Sequence, residues 1–421
     1  MRKTRVGVAL LASLAIVAAS CGDDDETKGT EAPAGSDAPD VTDAPEETTA
    51  PDVTTTPADT TGGDMDYMWT PNADLVAGAE GEVNIVAWPG YIEEAWTTPF
   101  TEMTGCAVNV KLGATSDEMV QLMQSGEYDG VSASGDATNR LMAGGEVVEI
   151  DLAEFSSYED IFDGLKDKPW NSLDGKPMGI PHGRGANVMF FNTEAFPEAP
   201  DSWGAMWEAG SVAEGAISVY DSPIYIADAA LWLMATQPDL GITNPYALDQ
   251  AQFDAAIALL ESQKGLASQY WADYVVQANS MVDGTVLAGT TWQVVANFAQ
   301  SEGALVDTVK PKEGATGWSD TWMLSSQASN PNCMKLWMDW ISSPWANAQA
   351  TEYFGEAPSN AKGCALTADP DHCAKYHAEE EDYWTDVWYW TTATEECLDG
   401  RTDVTCVPYT EWVNAWNALR A

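Results

Sequence analysis

Two loops of the sequence place aromatic and acidic side chains directly after segments that are typical of β-strands. Trp88 and Tyr91 follow the alternating apolar run at 83–87, and Ser134 and Asp136 stand at the end of the segment 129–134. Indole faces attract cations, and desolvated carboxylates accept charge-assisted hydrogen bonds from ammonium groups. These two loops are therefore candidates for contact with a ligand.

Repeated β-α-β patterns position these loops. The sequence predicts strands at 83–87, 108–112 and 129–134, with helices over 93–103 and 139–144 between and after them. Gly105 is a plausible helix stop, and Thr115 and Glu118 have capping-box spacing before a further helix. Such units imply an α/β fold with a parallel sheet, whose ligands bind beyond the carboxyl ends of the strands.

A second α/β region follows, and the chain from about residue 84 is long enough for two domains. Extended segments are predicted at 216–220, 285–291, 307–309 and 322–325. Helices are predicted at 226–235, 253–261, 293–300, 333–341, 345–354 and 409–419.

The first 21 residues have the pattern of an export signal. A basic start is followed by an apolar run at 6–20, which is too short for a membrane span. The run ends in Ala18-Ala19-Ser20-Cys21, which resembles the lipobox of bacterial lipoproteins, although Ala18 replaces the usual large aliphatic residue. We expect lipidation at Cys21 and membrane contact only through that anchor; the alternative is an ordinary cleaved signal.

Residues 22–80 are predicted to form a disordered acidic tether rich in Thr, Pro and Ala. The segment 22–66 holds 14 acidic residues and one lysine, with almost no large apolar side chains. The net charge of the whole chain is −48, which argues against nucleic acid and anionic membrane surfaces as partners. We therefore expect an exported protein on the outer face of the cytoplasmic membrane, on the periplasmic or cell-wall side.

Six further cysteines suggest disulfides, because the count is even and the chain is exported. Fifteen pairings are possible. Short loops favour Cys364–Cys373 and Cys397–Cys406, which leaves Cys106–Cys333. A metal site is the weaker alternative, because the sequence has no CxxC spacing and only three histidines. No cofactor is predicted.

The order of motifs over residues 80–360 resembles that of the polyamine-type extracellular solute-binding proteins, the spermidine/putrescine-binding family. The resemblance rests on ordered segments that include VNIVAWPGYIEEA, FTEMTGCAVNV, GKPMGIPHGRGANVMFFNTEAF and GTTWQVVANFAQSEGALVDTVKPKEGATGWSDTWMLSS. It implies a two-lobe, type II-like periplasmic-binding-protein fold with the ligand in an interlobe cleft. Lobe 1 would comprise residues 81–184 and 321–360, and lobe 2 residues 185–320 and 361–421. The chain would cross between lobes near 183–187, 320–322 and 358–362.

The resemblance also implies ligand-binding residues, position by position. Trp88 and Tyr91 match the family's first aromatic pair, and Ser134 matches a serine in its second loop. Trp292 matches a wall of its aromatic box. Trp318 and Asp320 match its Trp-x-Asp element, whose carboxylate holds an ammonium group.

Several positions depart from the family pattern. Asp136 and Glu356 stand where the family often has aromatic residues, and Tyr225 stands where it often has an acid. Arg184 replaces a family Trp; it would repel a polyamine by like charge, but it could clamp a carboxylate. Two ligand classes therefore stay open, a polyamine-like amine and a zwitterionic amino acid or related compound.

The resemblance implies delivery of the ligand to the permease subunits of an ABC importer, by a monomer that is not an enzyme. The rival class is a secreted hydrolase, because paired acids are available although no nucleophile elbow, Walker loop or HExxH element is present. A ferric-ion binder of the same broad fold and a structural envelope protein are further alternatives. The sequence identifies neither the ligand nor the permease.

Overall fold

The computed structural model describes residues 67–113 and 115–421. The predicted signal peptide, the predicted lipidation site at Cys21 and the tether as far as residue 66 lie outside those residues. Among the residues described, no helix combines the length and the apolar composition needed to cross a membrane.

The described residues alternate between strands and helices. In chain order the strands are β1 (Glu82–Ala87), β2 (Ala107–Leu112), β3 (Gly130–Ala133), β4 (Ser172–Leu173), β5 (Lys176–Pro177), β6 (Gly179–Asn192), β7 (Ile217–Tyr220), β8 (Ala267–Trp271), β9 (Ala288–Trp292), β10 (Val306–Val309), β11 (Ala315–Leu324), β12 (Ala357–Pro358) and β13 (Val387–Tyr389). The helices are α1 (Ala73–Ala77), α2 (Glu94–Thr104), α3 (Ser116–Gln124), α4 (Gly135–Gly144), α5 (Gly204–Trp207), α6 (Ile226–Thr236), α7 (Gln250–Gln263), α8 (Tyr274–Val282), α9 (Gln293–Ser301), α10 (Pro331–Ile341), α11 (Pro344–Phe354), α12 (His372–Lys375) and α13 (Tyr409–Arg420). Short 3₁₀ helices occupy Leu152–Glu154, Ser156–Asp160, Asp163–Leu165, Pro223–Tyr225, Pro238–Leu240, Gly363–Ala365 and Glu381–Trp384.

Several helix ends follow from local chemistry. The Thr115 side chain accepts a hydrogen bond from the backbone N–H of Glu118, which confirms the predicted start of α3. Helix α2 ends at Gly105, whose φ of 77° lies in the left-handed region that glycine adopts without strain. Strand β1 pairs in parallel with both β2 and β3. The carboxyl ends of these three strands therefore lie at the same edge of the sheet.

Two long strands join a pair of parallel strand groups. The main sheet has the order β2-β1-β3-β11-β6-β9-β7-β8, and β7 pairs in parallel with β8 and β9. Strands β6 and β11 run antiparallel to each other in its centre. The first part of β6 pairs only with β11 and β12, and its last part pairs with β9 and β10. Both long strands thus pass from one strand group to the other.

The hydrophobic residues form separate cores around the two strand groups. One core draws on residues 75–180 and 322–350, and the largest other core draws on residues 189–318 and 390–419. Each core therefore collects segments that are far apart in the sequence. This arrangement is consistent with the discontinuous lobes predicted above, whose boundaries stay a prediction.

Residues 67–80 depart from the predicted tether, because they pack on the first core. The Tyr67 ring lies 5.5 Å from that of Trp340, and the Trp69 indole donates a 2.8 Å hydrogen bond to Asp339. Leu75 of α1 is buried in the same core. The predicted tether therefore extends too far towards the C-terminus. Burial of the aromatic and apolar residues after position 66 stabilises the folded state, so these residues pack on the core.

Three disulfides are formed with the predicted pairing. Cys106–Cys333 joins positions 227 residues apart, and its cysteines are completely buried in the first core. Cys364–Cys373 and Cys397–Cys406 each close a separation of 9 residues.

Candidate functional site

Strand β11 places Asp320 at the centre of a buried polar group. Both oxygens of its carboxylate accept hydrogen bonds, from the Ser134 hydroxyl at 2.5 Å and from the Tyr91 hydroxyl at 2.6 Å. Side chains two residues apart on a strand share a face, so Trp318 lies on the same side of β11. Gly185 faces that indole across the strand pair, where a Cβ would come within 2.3 Å of the ring.

The two hydroxyl donors come from the loops that the sequence singled out. Tyr91 follows β1, and Ser134 lies between β3 and α4, at the N-cap of that helix. Because β1 and β3 are parallel, their carboxyl ends meet at one edge of the sheet, and β11 lies next to β3 there. The Ser134 side chain makes no capping bond to its helix, which leaves its hydroxyl for Asp320.

A second buried carboxyl group, that of Glu356, lies against the first. Its Oε2 atom lies 3.2 Å from the Tyr91 hydroxyl, and its Oε1 atom lies 3.4 Å from Nε2 of His182. Gly355 allows the chain to turn here after α11, since its φ is 88°. Strand β12 then pairs with β6, so Glu356 is held beside the centre of the sheet.

A β-bulge explains the position of His182. Asp320 pairs with Gly183, whereas the next residue, Thr321, pairs with Pro181, so His182 is left over on β6. Its ring packs 4.2 Å from that of Tyr91. Burial lowers the pKa of His182 to about 3, so the imidazole is neutral at physiological pH.

The electrostatics of the site are dominated by acids. Burial raises the pKa of Asp320 to about 6, although the hydrogen bonds from Ser134 and Tyr91 oppose the rise. Burial and the neighbouring Asp320 charge raise the pKa of Glu356 well above its ordinary value. Within the part of the chain that the structure describes, neither carboxyl group has a lysine or arginine partner. The group is thus poised to attract a cation.

A small, partly open cavity borders this group. Its volume is about 20 Å³, enough for one or two water molecules. Its charged boundary includes Glu356 and Arg184, and its aromatic walls are Trp292, Trp318, Tyr376, Tyr383 and Trp384. A ligand with several heavy atoms can enter only if these walls part.

The guanidinium of Arg184 is already compensated. It forms an ion pair with Glu381 at 2.7 Å, donates to the carbonyl oxygen of Ala378 at 3.1 Å, and lies 4.3 Å from the ring centre of Trp384. Only its Nε atom lacks a hydrogen-bond partner among the described residues. The like-charge repulsion expected from the sequence is therefore reduced, because Glu381 supplies the missing counter-charge.

The remaining predicted site residues lie apart from the cavity. Asp136 lies in the first turn of α4, two residues beyond Ser134, and accepts a 3.0 Å hydrogen bond from Ser116. It is near enough to Asp320 to raise the pKa of that residue. Trp88 is half-buried and packs between two cores instead of lining the cavity.

Tyr225 requires a correction. Its hydroxyl lies 3.3 Å from the amide oxygen of Gln263. Its ring stacks on Trp207 inside the core that draws on residues 189–318 and 390–419. It directly precedes α6 and is buried in the core instead of joining the group around Asp320. We therefore remove it from the proposed site.

Sequence reasoning did not include His182, Tyr376 or Trp384 among the site residues. His182 lies inside the quoted segment GIPHGRGAN, where no local pattern indicates the bulge that leaves it unpaired on β6. Trp384 belongs to an aromatic run after the Cys364–Cys373 loop, and that unusual composition is the signal that could have drawn attention to it.

The sequence model of a family described as "Bacterial extracellular solute-binding protein" matches residues 95–374. The chain belongs to this family. Its members bind solutes and are not enzymes, so the function of this chain is solute binding and the hydrolase alternative is set aside.

Named relatives and solved structures agree with this assignment. The chain is 24% identical to spermidine/putrescine-binding periplasmic protein 1 of Haemophilus influenzae over 263 residues, covering 61% of this chain and 69% of the relative. It is 23% identical to the spermidine/putrescine-binding periplasmic protein of Escherichia coli over 277 residues, covering 65% and 76%. A spermidine/putrescine ABC transporter substrate-binding protein of Streptococcus pneumoniae shares its fold with a TM-score of 0.65 and 17% identity, covering 81% of this chain and 100% of that one. The fold is thus the two-lobe α/β fold of periplasmic binding proteins.

Proposed function

We propose that this solute-binding protein captures a polyamine-like ligand and delivers it to the permease subunits of an ABC importer. A ligand ammonium group would bind at Asp320 and Glu356, and its alkyl chain would lie between Trp292 and Trp318. Tyr91 and Ser134 would orient the Asp320 carboxylate. Asp136 would add negative potential at the far end of the group.

The observation that supports this proposal most is a buried pair of acids without a cationic partner. Burying a carboxylate is costly unless a counter-charge or hydrogen bonds compensate it. Asp320 receives hydrogen bonds but no cation, and Oε1 of Glu356 has no hydrogen-bond partner among the described residues. A bound ammonium group would supply both charge and donors. Indole walls would contribute about 0.5–2 kcal/mol of cation–π attraction each.

A zwitterionic ligand is the second candidate, because the cavity is lined by an acid, Glu356, and by a base, Arg184. The unpartnered Nε of Arg184 could donate to a ligand carboxylate. We favour the amine because the charge of Arg184 is met by Glu381, whereas the charge at Asp320 is not met.

The cellular setting extends the same proposal. The family name places such proteins outside the cytoplasm. We propose an acyl anchor at Cys21, a tether of roughly 45 residues to the folded part, and a monomer that closes lobe 1 (residues 81–184 and 321–360) on lobe 2 (residues 185–320 and 361–421) around its ligand. The narrow cavity described above fits a closed arrangement.

A thermal-shift screen tests the ligand class. Putrescine, spermidine, ornithine, lysine and a quaternary ammonium compound of similar size would be added to the purified chain. A ligand present at 100 times its dissociation constant stabilises the native state by roughly 2.7 kcal/mol. We expect stabilisation by the two polyamines and none by the quaternary compound, which has no N–H to donate. Stabilisation by the amino acids alone would favour the zwitterionic candidate.

A further inference from the structure

The Tyr91 hydroxyl lies between two carboxyl groups, at 2.6 Å from Asp320 and 3.2 Å from Glu356. A phenol carries one hydrogen, so it can donate to only one of them at a time. Asp320 has the shorter contact and also receives the Ser134 hydroxyl at 2.5 Å, which marks it as the ionised group. The contact with Glu356 is then favourable only if Glu356 itself carries a hydrogen and donates it to the phenol oxygen.

The groups that surround Glu356 also favour a proton on its carboxyl group. His182 on β6 is neutral, and the ring of His372 on α12 contacts the backbone oxygen of Glu356 instead of its carboxyl group. The two cations that line the same cavity are engaged elsewhere, Arg184 with Glu381 and Lys375 with Asp369. The charge of Asp320 opposes ionisation of Glu356, whereas a hydrogen bond from Tyr91 would favour it and is the smaller effect. Burial and the Asp320 charge accordingly raise the pKa of Glu356.

Glu356 lines the cavity, and its other oxygen, Oε1, lies 3.4 Å from Nε2 of His182. Oε1 has no hydrogen-bond partner among the described residues, and Glu356 is 1% exposed. A ligand N–H group can therefore reach this atom without displacing an existing bond. An ammonium group placed there would favour the ionised form of Glu356, because an opposite charge within about 4–6 Å lowers the pKa of a carboxyl group.

We propose that Glu356 holds a proton in the ligand-free protein and releases it to water when an amine binds, so that capture is coupled to the loss of one proton. The O–H bond of Glu356 breaks, the proton passes to solvent, and the ligand ammonium donates N–H hydrogen bonds to the two carboxylates. This inference rests on the proposed function, and it makes Glu356 the residue that selects a protonated amine over a quaternary cation.

The coupling has a defined sign with pH. The amine stays protonated up to about pH 10, by comparison with lysine, so only the carboxyl groups respond near neutrality. Above the Asp320 pKa of about 6, loss of one proton from Glu356 makes the affinity rise with pH by up to tenfold per unit. The affinity stops rising once the pH exceeds the pKa of Glu356.

Calorimetry with putrescine and spermidine measures the proton directly. Titrations at pH 7.5 in two buffers that differ in ionisation enthalpy give the number of protons released. We expect close to one proton for the wild-type chain, and close to none for Glu356→Gln, with binding at least tenfold weaker. Glu302→Gln, at an exposed acid, is the matched charge control and should match wild type. Wild-type binding without proton release would overturn the inference.

A ligand-free measurement separates this inference from the ligand assignment. If Glu356 is protonated in the native state, its folded pKa exceeds the unfolded one, so its contribution to stability is present at low pH and lost as pH rises. The melting temperature of wild type relative to Glu356→Gln should therefore fall between pH 4.5 and 8. A constant difference would refute the protonated state even if amines bind. A falling difference without amine binding would leave the protonated state of Glu356 standing but refute the proposed function, and with it the coupling to amine capture.

Discussion

Replacing the disulfide between Cys106 and Cys333 by two alanines tests the discontinuous lobe most directly. Cys106 lies between α2 and β2, and Cys333 lies in α10. The parallel strands β7, β8 and β9 all lie between these two cysteines in the sequence. Both side chains are completely buried in the first core. The bond thus closes the lobe that we assign to residues 81–184 and 321–360.

The expected loss follows from the length of the loop. In the chain-entropy treatment of cross-links, closing a separation of 227 residues stabilises the native state by roughly 5 kcal/mol. The same treatment gives roughly 2.5 kcal/mol for a separation of 9 residues, as in Cys397–Cys406. A double alanine variant of that second pair is therefore a matched control.

Denaturant unfolding of the two variants, followed by tryptophan fluorescence, measures the difference. We expect the Cys106/Cys333 variant to lose about twice as much free energy of unfolding as the control, and ligand binding to survive where the fold survives. Equal losses would refute the reasoning, because they would mean that the long loop is not closed by this bond in the native fold.

Two further predictions concern the ligand class and the anchor. Arg184→Gln should leave polyamine affinity equal or better while lowering the free energy of unfolding by roughly 0.5–3 kcal/mol, because its stacking on Trp384 is lost; calorimetry that shows loss of binding would instead favour a zwitterion. Cys21→Ser should release the protein from the membrane fraction with unchanged affinity, and fractionation that finds it retained there would contradict the proposed lipid anchor.

Local patterns made much of the fold predictable. The alternation at 83–87 and the cap at Thr115 each depend on neighbouring residues, and both correspond to observed elements, β1 and the start of α3. The 14-residue strand β6 was not predicted as a strand, because its first half contains glycines and a proline. Pairing with other strands on both sides outweighs that weak local preference.

The site was predictable where strand geometry decides it. The loops after β1 and β3 meet because those strands are parallel. Trp318 and Asp320 were indicated only by the family resemblance, because the strand predicted at 322–325 excluded them; β11 begins at Ala315 and places both on one face. The pairing of Arg184 with Glu381 joins residues 197 apart, so no local pattern could indicate it. The apolar placement of Tyr225 likewise depends on how its helix packs.

The most direct test of the central claim is a calorimetric titration of Asp320→Asn with putrescine and spermidine. Asp239→Asn, at an exposed acid, is the control, and a melting curve checks that each variant is folded. Removing one partner of a buried, hydrogen-bonded charge pair costs about 2–5 kcal/mol, so we expect at least tenfold weaker binding for Asp320→Asn and wild-type binding for the control. Unchanged affinity in a folded Asp320→Asn variant would contradict the account.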